Sequence, residues 1–316
     1  LSTVMIFSFG LLGQFFFERL LTSTGKTIFS MTSQLCGAIT NIILDPILIF
    51  GLFGAPKMGV TGAAVATVIG QCVACIVAGI CNHKFNHEVR LSFRGFRPDL
   101  KIIGHIYAVG IPSIIMQSIS SIMTYCMNLI LVQFTVTATA IFGVYFKLQS
   151  FFFMPVFGLN NGITPIIAYN YGARHRKRML KTVKVSMFIA FCFTFIGFLA
   201  FEFIPKTLLG LFSASEDMLT IGIPALRIIG IHYLIAWFCI IAGTVFQALG
   251  KAVFSMIVSI MRQLFVLVPA AYILASIGGL HAVWWSFPIA EIISLIVSVA
   301  FLVVINRTII QKIPEA

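Results

Sequence analysis

The sequence predicts an all-α polytopic membrane protein: two helical bundles related by a pseudo-twofold axis, with about nine transmembrane helices present of an expected twelve. Three observations carry that prediction. Of 316 residues, 59% are hydrophobic and 9% charged, and the mean hydropathy is +1.06, whereas an ordinary soluble domain carries roughly 25% charged residues. The apolar runs are continuous, as in "MFIAFCFTFIGFLAF" at 187–201, while a membrane barrel would show alternating segments of ~10 residues; with barrels excluded, only helices satisfy their own backbone groups in lipid. Finally, one phrase is written twice: "GKTIFSM" at 25–31 and "GKAVFSM" at 250–256, five of seven residues identical at an offset of 225.

Breaks at Gly, Pro and charge clusters divide the chain into nine spans. The first, near 2–23, runs to the Gly25-Lys26 turn, and the second, near 27–53, to the Gly54–Pro56 stretch. A third opens at Gly59 and ends near 82, where the basic loop "NHKFNHEVRLSFRGFRPDLK" begins. Spans near 102–134 and 138–171 follow, the latter stopping before "ARHRKRMLKTVK" at 173–184. The next, near 182–205, stops at Pro205; one near 218–248 stops at Gly250; the last two, near 252–276 and 280–305, are parted by Gly278 and Gly279.

A net charge of +12 would point to nucleic acid in a soluble chain, but here the Lys and Arg residues fall in the connections. Counting alternate sides gives fifteen on one face, including Lys26, Lys84, Arg90, Arg94, Arg97, Lys101 and Lys251, against Lys57 and Lys206 on the other. This is the positive-inside asymmetry of a plasma-membrane protein with its C-terminus in the cytoplasm, and it excludes a nucleic-acid role. Nine crossings place Leu1 outside, so an odd number of helices is expected before it. All seven cysteines lie within or at the ends of apolar segments, which gives no disulfide framework. Cys72 and Cys75, mid-span, read as small packing residues, and Cys81, His83 and His87 as solvated residues rather than a metal site.

Each copy of the repeated phrase joins two spans on the cytoplasmic side and precedes a helix carrying a proline, Pro46 or Pro269. About 150 residues, beginning near Lys101, lead up to Gly250, but only 24 precede Gly25. The difference of about 125 residues corresponds to three helices, hence a twelve-helix parent and an N-terminally truncated chain. The expected domains are 1–95, three helices completing an N-terminal bundle, and 96–316, a six-helix C-terminal bundle. Such repeats build many transporters, with the substrate site between the halves.

The stretches "FFERLLTSTGKTIFSM" at 16–31, "GAITNIILDPILIFGLFG" at 37–54, "GVTGAAVATVIGQ" at 59–71 and "FKLQSFFFMPVFGLNNGITPIIAYNYGA" at 146–173 resemble the multidrug and toxic compound extrusion (MATE) family. The resemblance covers nearly the whole chain as the family's helices four to twelve. It implies a secondary antiporter that exports amphipathic, cationic drugs or metabolites by alternating access, driven by protons or sodium ions and needing no cofactor. The partners it implies are a small organic cation and the bilayer, with the protein acting as a monomer. One branch of the family places acidic residues on its seventh and tenth helices; the corresponding spans here offer Gln117 and Arg227. The resemblance therefore favours proton over sodium coupling.

Ionisable groups inside spans are functional candidates, because burial in hydrocarbon costs at least ~2.5 kcal/mol. Asp45 lies mid-span; Asn41, four residues earlier, and Gln34, eleven earlier, share its helical face. Pro46 removes a hydrogen bond beside it. Asp45 with Asn41 is the expected cation-coupling site, unless Asp45 only ties two helices together. The expected substrate cavity adds Gln34, Gln117, Thr124, Asn128, Tyr145, Lys147, Gln149, Phe153, Asn161 and Arg227. Gln117, Ser121, Thr124 and Asn128 follow i, i+4, i+7, i+11 spacing, which either lines a cavity or packs helices. Lys147 either meets a counter-ion such as Asp45 across the cleft or snorkels outward. Arg227 and Arg262 read as ties to carboxylates or carbonyls rather than as contacts to a cationic substrate, which they would repel; Glu18 and Arg19 read as a gate or as snorkelling groups; Glu202 and Glu291 carry no assignment. No paired catalytic carboxylates, H-E-x-x-H or G-x-S-x-G occurs, so an enzyme is not expected; a lipid or lipid-linked saccharide flippase, which needs a more cationic cavity, is the alternative transporter.

Overall fold

The structure, a computed structural model, describes residues 8–54, 56–89 and 99–313. Arg90, Arg94, Arg97 and the expected boundary at 95/96 lie outside the described residues. The chain divides into two compact units, Leu1–Arg97 and Pro98–Ala316.

The first unit holds three described helices: α1 (Phe9–Ser23), α2 (Thr27–Phe50) and α3 (Val60–Phe85). α2 ends three residues before its expected limit because Gly51 turns left-handed at φ 76° and its N–H bonds back to Ile47 O. Met58 and Gly59 then donate to Leu48 and Ile49, folding the connection onto the end of α2. Glycine allows the helices to approach: a Cβ on Gly37 would lie 2.8 Å from Gly70 O, and one on Gly62 2.5 Å from Leu48 O. α1 meets α3 likewise, Gly10 against Cys72 and Gly13 against Cys75, so the C-x-x-C pair packs onto a G-x-x-G. Without a hydrophobic drive between helices in lipid, such close contact of small residues is what holds them.

The second unit contains α4 (Leu100–Leu131), α5 (Val136–Gly172), α6 (Arg176–Phe203), α7 (Pro205–Gly210), α8 (Glu216–Gly230), α9 (Tyr233–Ala248), α10 (Ala252–Ile260), α11 (Val268–Val283) and α12 (Ser286–Thr308). Three of them start on an oxygen cap: Asp99, Thr135 and Ser215 accept from Lys101 N, Ala138 N and Met218 N. The basic run after Gly172, expected as loop, forms the first turns of α6 from Arg176 onward. The expected span 218–248 is broken: α8 and α9 meet at a 50° bend, where Ile231 and His232 bond three residues back instead of four.

Between α10 and α11 lies a π-helical turn, Met261–Leu267. It ends just before Pro269, which has no N–H to offer Phe265 O, and the Val268 N–H bonds to Gln263 O, five residues back. No such turn precedes Pro46, and α2 stays regular through it. Within α11, Gly279 adopts φ 66° and breaks the helix where the sequence separates its last two spans.

Two apolar clusters form the core of this unit, one around Phe142, Tyr145, Phe201, Tyr233 and Trp284, the other around Ile163, Met179, Phe246 and Ile305. Large apolar side chains also cover the outside, from Ile114 and Met154 to Phe188 and Ile296. Among the described residues seven helices are long and apolar enough to cross a membrane, and the bent α8–α9 pair makes an eighth candidate. α1 supplies 15 residues of the first expected span.

Candidate coupling and ligand sites

In the first unit, α2 and α3 place three polar side chains in a row. Asn41 Nδ2 donates to Asp45 Oδ1 at 3.3 Å and approaches Thr67 Oγ1 at 3.5 Å, while the Thr67 hydroxyl donates to Ala63 O at 2.9 Å. Both Asp45 and Asn41 are half-buried. Gln34 does not extend this row. It is exposed, and its amide donates to Glu18 Oε2 at 2.9 Å; Gln14 donates to Glu18 Oε1 at 2.7 Å. Glu18, 5% exposed, therefore has both oxygens occupied by amides. A snorkelling role does not fit a carboxylate so enclosed.

In the second unit, a cavity of about 310 Å³ opens among α4, α5, the α8–α9 bend, the π-turn and α12. Tyr145, Gln149 and Phe153, at i, i+4 and i+8 of α5, form one wall. Opposite stand three residues with no place in the expected cavity: His232 at the bend, Arg262 in the π-turn and Glu291 on α12. Arg262 Nη1 lies 3.4 Å from Glu291 Oε2, and Glu291 is 3% exposed. His232 Nδ1 lies 2.5 Å from Ile229 O; donating there leaves Nε2 as an acceptor, 3.5 Å from Gln149 Nε2. Phe153 stacks parallel to the His232 ring, and Tyr145 meets Phe287 edge-on.

A second, open cleft of about 760 Å³ runs between α4 and α5. Ser121, Thr124 and Asn128 of the polar stripe line it, although the Thr124 hydroxyl is engaged by Ser120 O at 2.9 Å. Gln117 is exposed and lines neither cavity; Asn161, also exposed, is likewise apart from both.

Lys147 and Arg227 do not line the 310 Å³ cavity. Lys147 lies two residues from both Tyr145 and Gln149, about 200° round α5 from their face; it is exposed and holds its ammonium 5.6 Å above the Phe212 ring. Arg227 is exposed as well: its Nε donates to Glu202 O at 3.1 Å and lies 3.8 Å from Glu202 Oε1, tying α8 to the end of α6. Cys81 is buried while His83 and His87 are exposed, and among the described residues no three of His, Cys, Asp or Glu gather as metal ligands do.

The signal that could have located the cavity was present. Arg262 and Glu291 are opposite charges in the middle of two successive apolar spans, and His232 interrupts a third.

The MatE family profile matches residues 112–273, just over half of the chain. The multidrug export protein MepA of Staphylococcus haemolyticus is 29% identical over 282 residues, which cover 88% of this chain and 60% of that protein. MepA of Staphylococcus aureus is 30% identical over 279 residues, with the same coverage. The solved structure of the MATE multidrug transporter DinF-BH superposes with a TM-score of 0.83 at 31% identity over 96% of this chain and 68% of that one. The chain thus spans about three-fifths of the length of the curated relatives it matches. Fold, sequence and apolar helices agree: this multi-pass membrane protein belongs to MatE, the multidrug and toxic compound extrusion family of transporters.

Proposed function

We propose that the protein is a secondary antiporter of the plasma membrane, its C-terminus cytoplasmic, that exports amphipathic organic cations in exchange for protons by alternating access. Sodium is the alternative coupling ion. Asp45 hydrogen-bonded to Asn41, beside Pro46 on a membrane-spanning helix, is the observation that carries this reading. Protonation would neutralise Asp45, add an O–H donor and weaken it as an acceptor for Asn41, whose amide would then be free to turn to Thr67 or to the Ile42 carbonyl that Pro46 leaves without a donor. Each charge moved through 100 mV supplies ~2.3 kcal/mol, somewhat under two decades of concentration ratio.

Lys147 and Arg227 do not line the cavity of the second unit, and Arg262, which does, faces Glu291 at 3.4 Å and so leaves no unpaired cation there for an anionic headgroup; the exporter is therefore preferred. Uptake of a labelled organic cation into proteoliposomes, with a pH gradient, a sodium gradient or none, tests the proposal. Uptake that follows the pH gradient and is lost in Asp45→Asn is the expected result. Gradient-driven transport surviving that substitution would remove Asp45 from the scheme.

A further inference from the structure

Glu291 is a buried carboxylate whose hydrogen bonding is incomplete. Its side chain is 4% exposed, Oε2 faces Arg262 at 3.4 Å, the buried Cys239 thiol beside it is only a weak donor, and Oε1 has no hydrogen-bond partner although it is buried. An interior acceptor left in this state is destabilising, and more so when it is charged. Glu291 also lines the 310 Å³ cavity, so the missing partner has room to arrive from there. Arg262 cannot supply it: its contact is already at the long limit of a hydrogen bond, and it addresses the other oxygen.

The remaining walls say what kind of molecule fits. Tyr145, Phe153, Phe287 and the His232 ring present aromatic faces and edges. Gln149 and His232 Nε2 add polar groups at one point. The volume lies at the low end of ligand cavities, ~300–1,000 Å³, which limits the occupant to a few fused rings. Arg262 and Glu291 together carry no net charge, so the pair requires a hydrogen-bond donor aimed at Oε1 more than it requires a full positive charge.

We infer that this cavity is a binding subsite for planar aromatic compounds bearing an N–H donor, an amine or amidinium, and that Glu291 is its specificity-determining residue. The subsite rests on the exporter reading for its purpose, not for its test. The π-turn contributes directly, since it presents Arg262 and Gln263 to the same cavity and packs against α12, where Glu291 sits. Turns of this kind occur often at functional sites.

Two dyes of one ring system separate recognition of the donor from recognition of the ring. Proflavine is a planar acridine cation with amino N–H groups; 10-methylacridinium has the same rings and charge and no N–H. Binding of each to the purified protein, read by fluorescence polarisation without any gradient, is compared in the native protein and in Glu291→Gln. The glutamine must turn its oxygen to Arg262 and its NH2 to the cavity, where it meets donor with donor. Proflavine affinity is expected to fall at least tenfold, 10-methylacridinium affinity less than threefold, and Lys184→Ala, exposed on α6 away from the cavity, is expected to change neither. Should Glu291→Gln not fold by size exclusion and thermal melting, Glu291→Asp, which withdraws the carboxylate by one methylene, carries the same expectation. No proflavine binding by the native protein, an unchanged affinity in the folded variant, or an equal loss for both dyes overturns the subsite. Glu291-dependent binding without gradient-driven transport would instead overturn the exporter and leave the subsite standing.

Discussion

Gly25 and Gly250 close their helices in the same way. Each has positive φ, 76° and 72°. Each donates three residues back, to Thr22 O and Gln247 O, and the lysine that follows donates five residues back, to Leu21 O and Phe246 O, at 2.8 Å in both. The next helix then starts alike, with Phe29 and Phe254 bonding to Lys26 O and Lys251 O. The repeated seven-residue phrase is therefore one piece of turn machinery used twice: glycine supplies the left-handed residue and its neighbours the capping bonds.

Alanine at either position is expected to cost roughly 1–2 kcal/mol, the penalty of a Cβ in the left-handed region. No neighbour lies within 4 Å of a Cβ built at either site, so the cost is conformational and not steric. Thermal melting of the purified variants should show two similar decrements that add in the double variant, the sites lying in separate compact units.

Gly37→Ala tests the steric case. Its Cβ would press on Gly70 O and Ala74 Cβ, both at 2.8 Å, so α2 and α3 must part. A loss of about 1–3 kcal/mol is expected, as for other overpacked interiors, while Gly104→Ala, where space is open, should not destabilise. Equal melting temperatures for the two variants would show that α2 and α3 do not pack through Gly37.

Glu18→Ala should destabilise more than its single-residue size implies, because the Gln14 and Gln34 amides both lose an acceptor. The exposed Gln34 amide turns to water, so the expected cost is about 1–3 kcal/mol, from the half-buried Gln14 amide left unpaired. Glu18→Gln retains one acceptor and should recover part of it in the same melting assay.

Lys147→Met is expected to leave both transport and dye binding unchanged. An exposed cation–π contact is worth ~0.5–1 kcal/mol, and the ammonium lies over Phe212, which does not line the cavity. A tenfold loss of transport with normal melting would restore Lys147 to the site.

Arg262→Met alone should be severe, about 3–5 kcal/mol, because it strands a buried carboxylate. Adding Glu291→Leu should recover much of that loss. A double-mutant cycle on melting free energies measures the coupling, and additivity would show that the pair does not interact.

How much of this was legible in the sequence depends on what each residue type encodes. Helix limits followed from Gly250 and Gly279, whose conformational freedom is a local property, while the turn at Gly51 was overrun by three residues. Tyr145, Gln149 and Phe153 were reached because they repeat every four residues on one regular helix. Lys147 does not share their wall because identity and depth do not fix facing: two residues along α5 turn the side chain about 200°. His232 escaped because a 50° bend ended the periodicity on which a face is read. Arg262 and Glu291 were visible as charges but not as partners, since the π-turn between Met261 and Leu267 shifts the 3.6-residue register. Pro269 was its only advance notice, and Pro46, in the corresponding place, carries no such shift.

The same turn makes one span unusually forgiving of a lost codon. Deleting a residue from a regular spanning helix swings everything beyond it by about 100°, which scrambles the faces offered to neighbours and lipid. Within Met261–Leu267 the helix carries a surplus residue, so a deletion there would tighten the coil to ordinary α pitch and leave both flanking halves in register, at the expense of where Arg262 points.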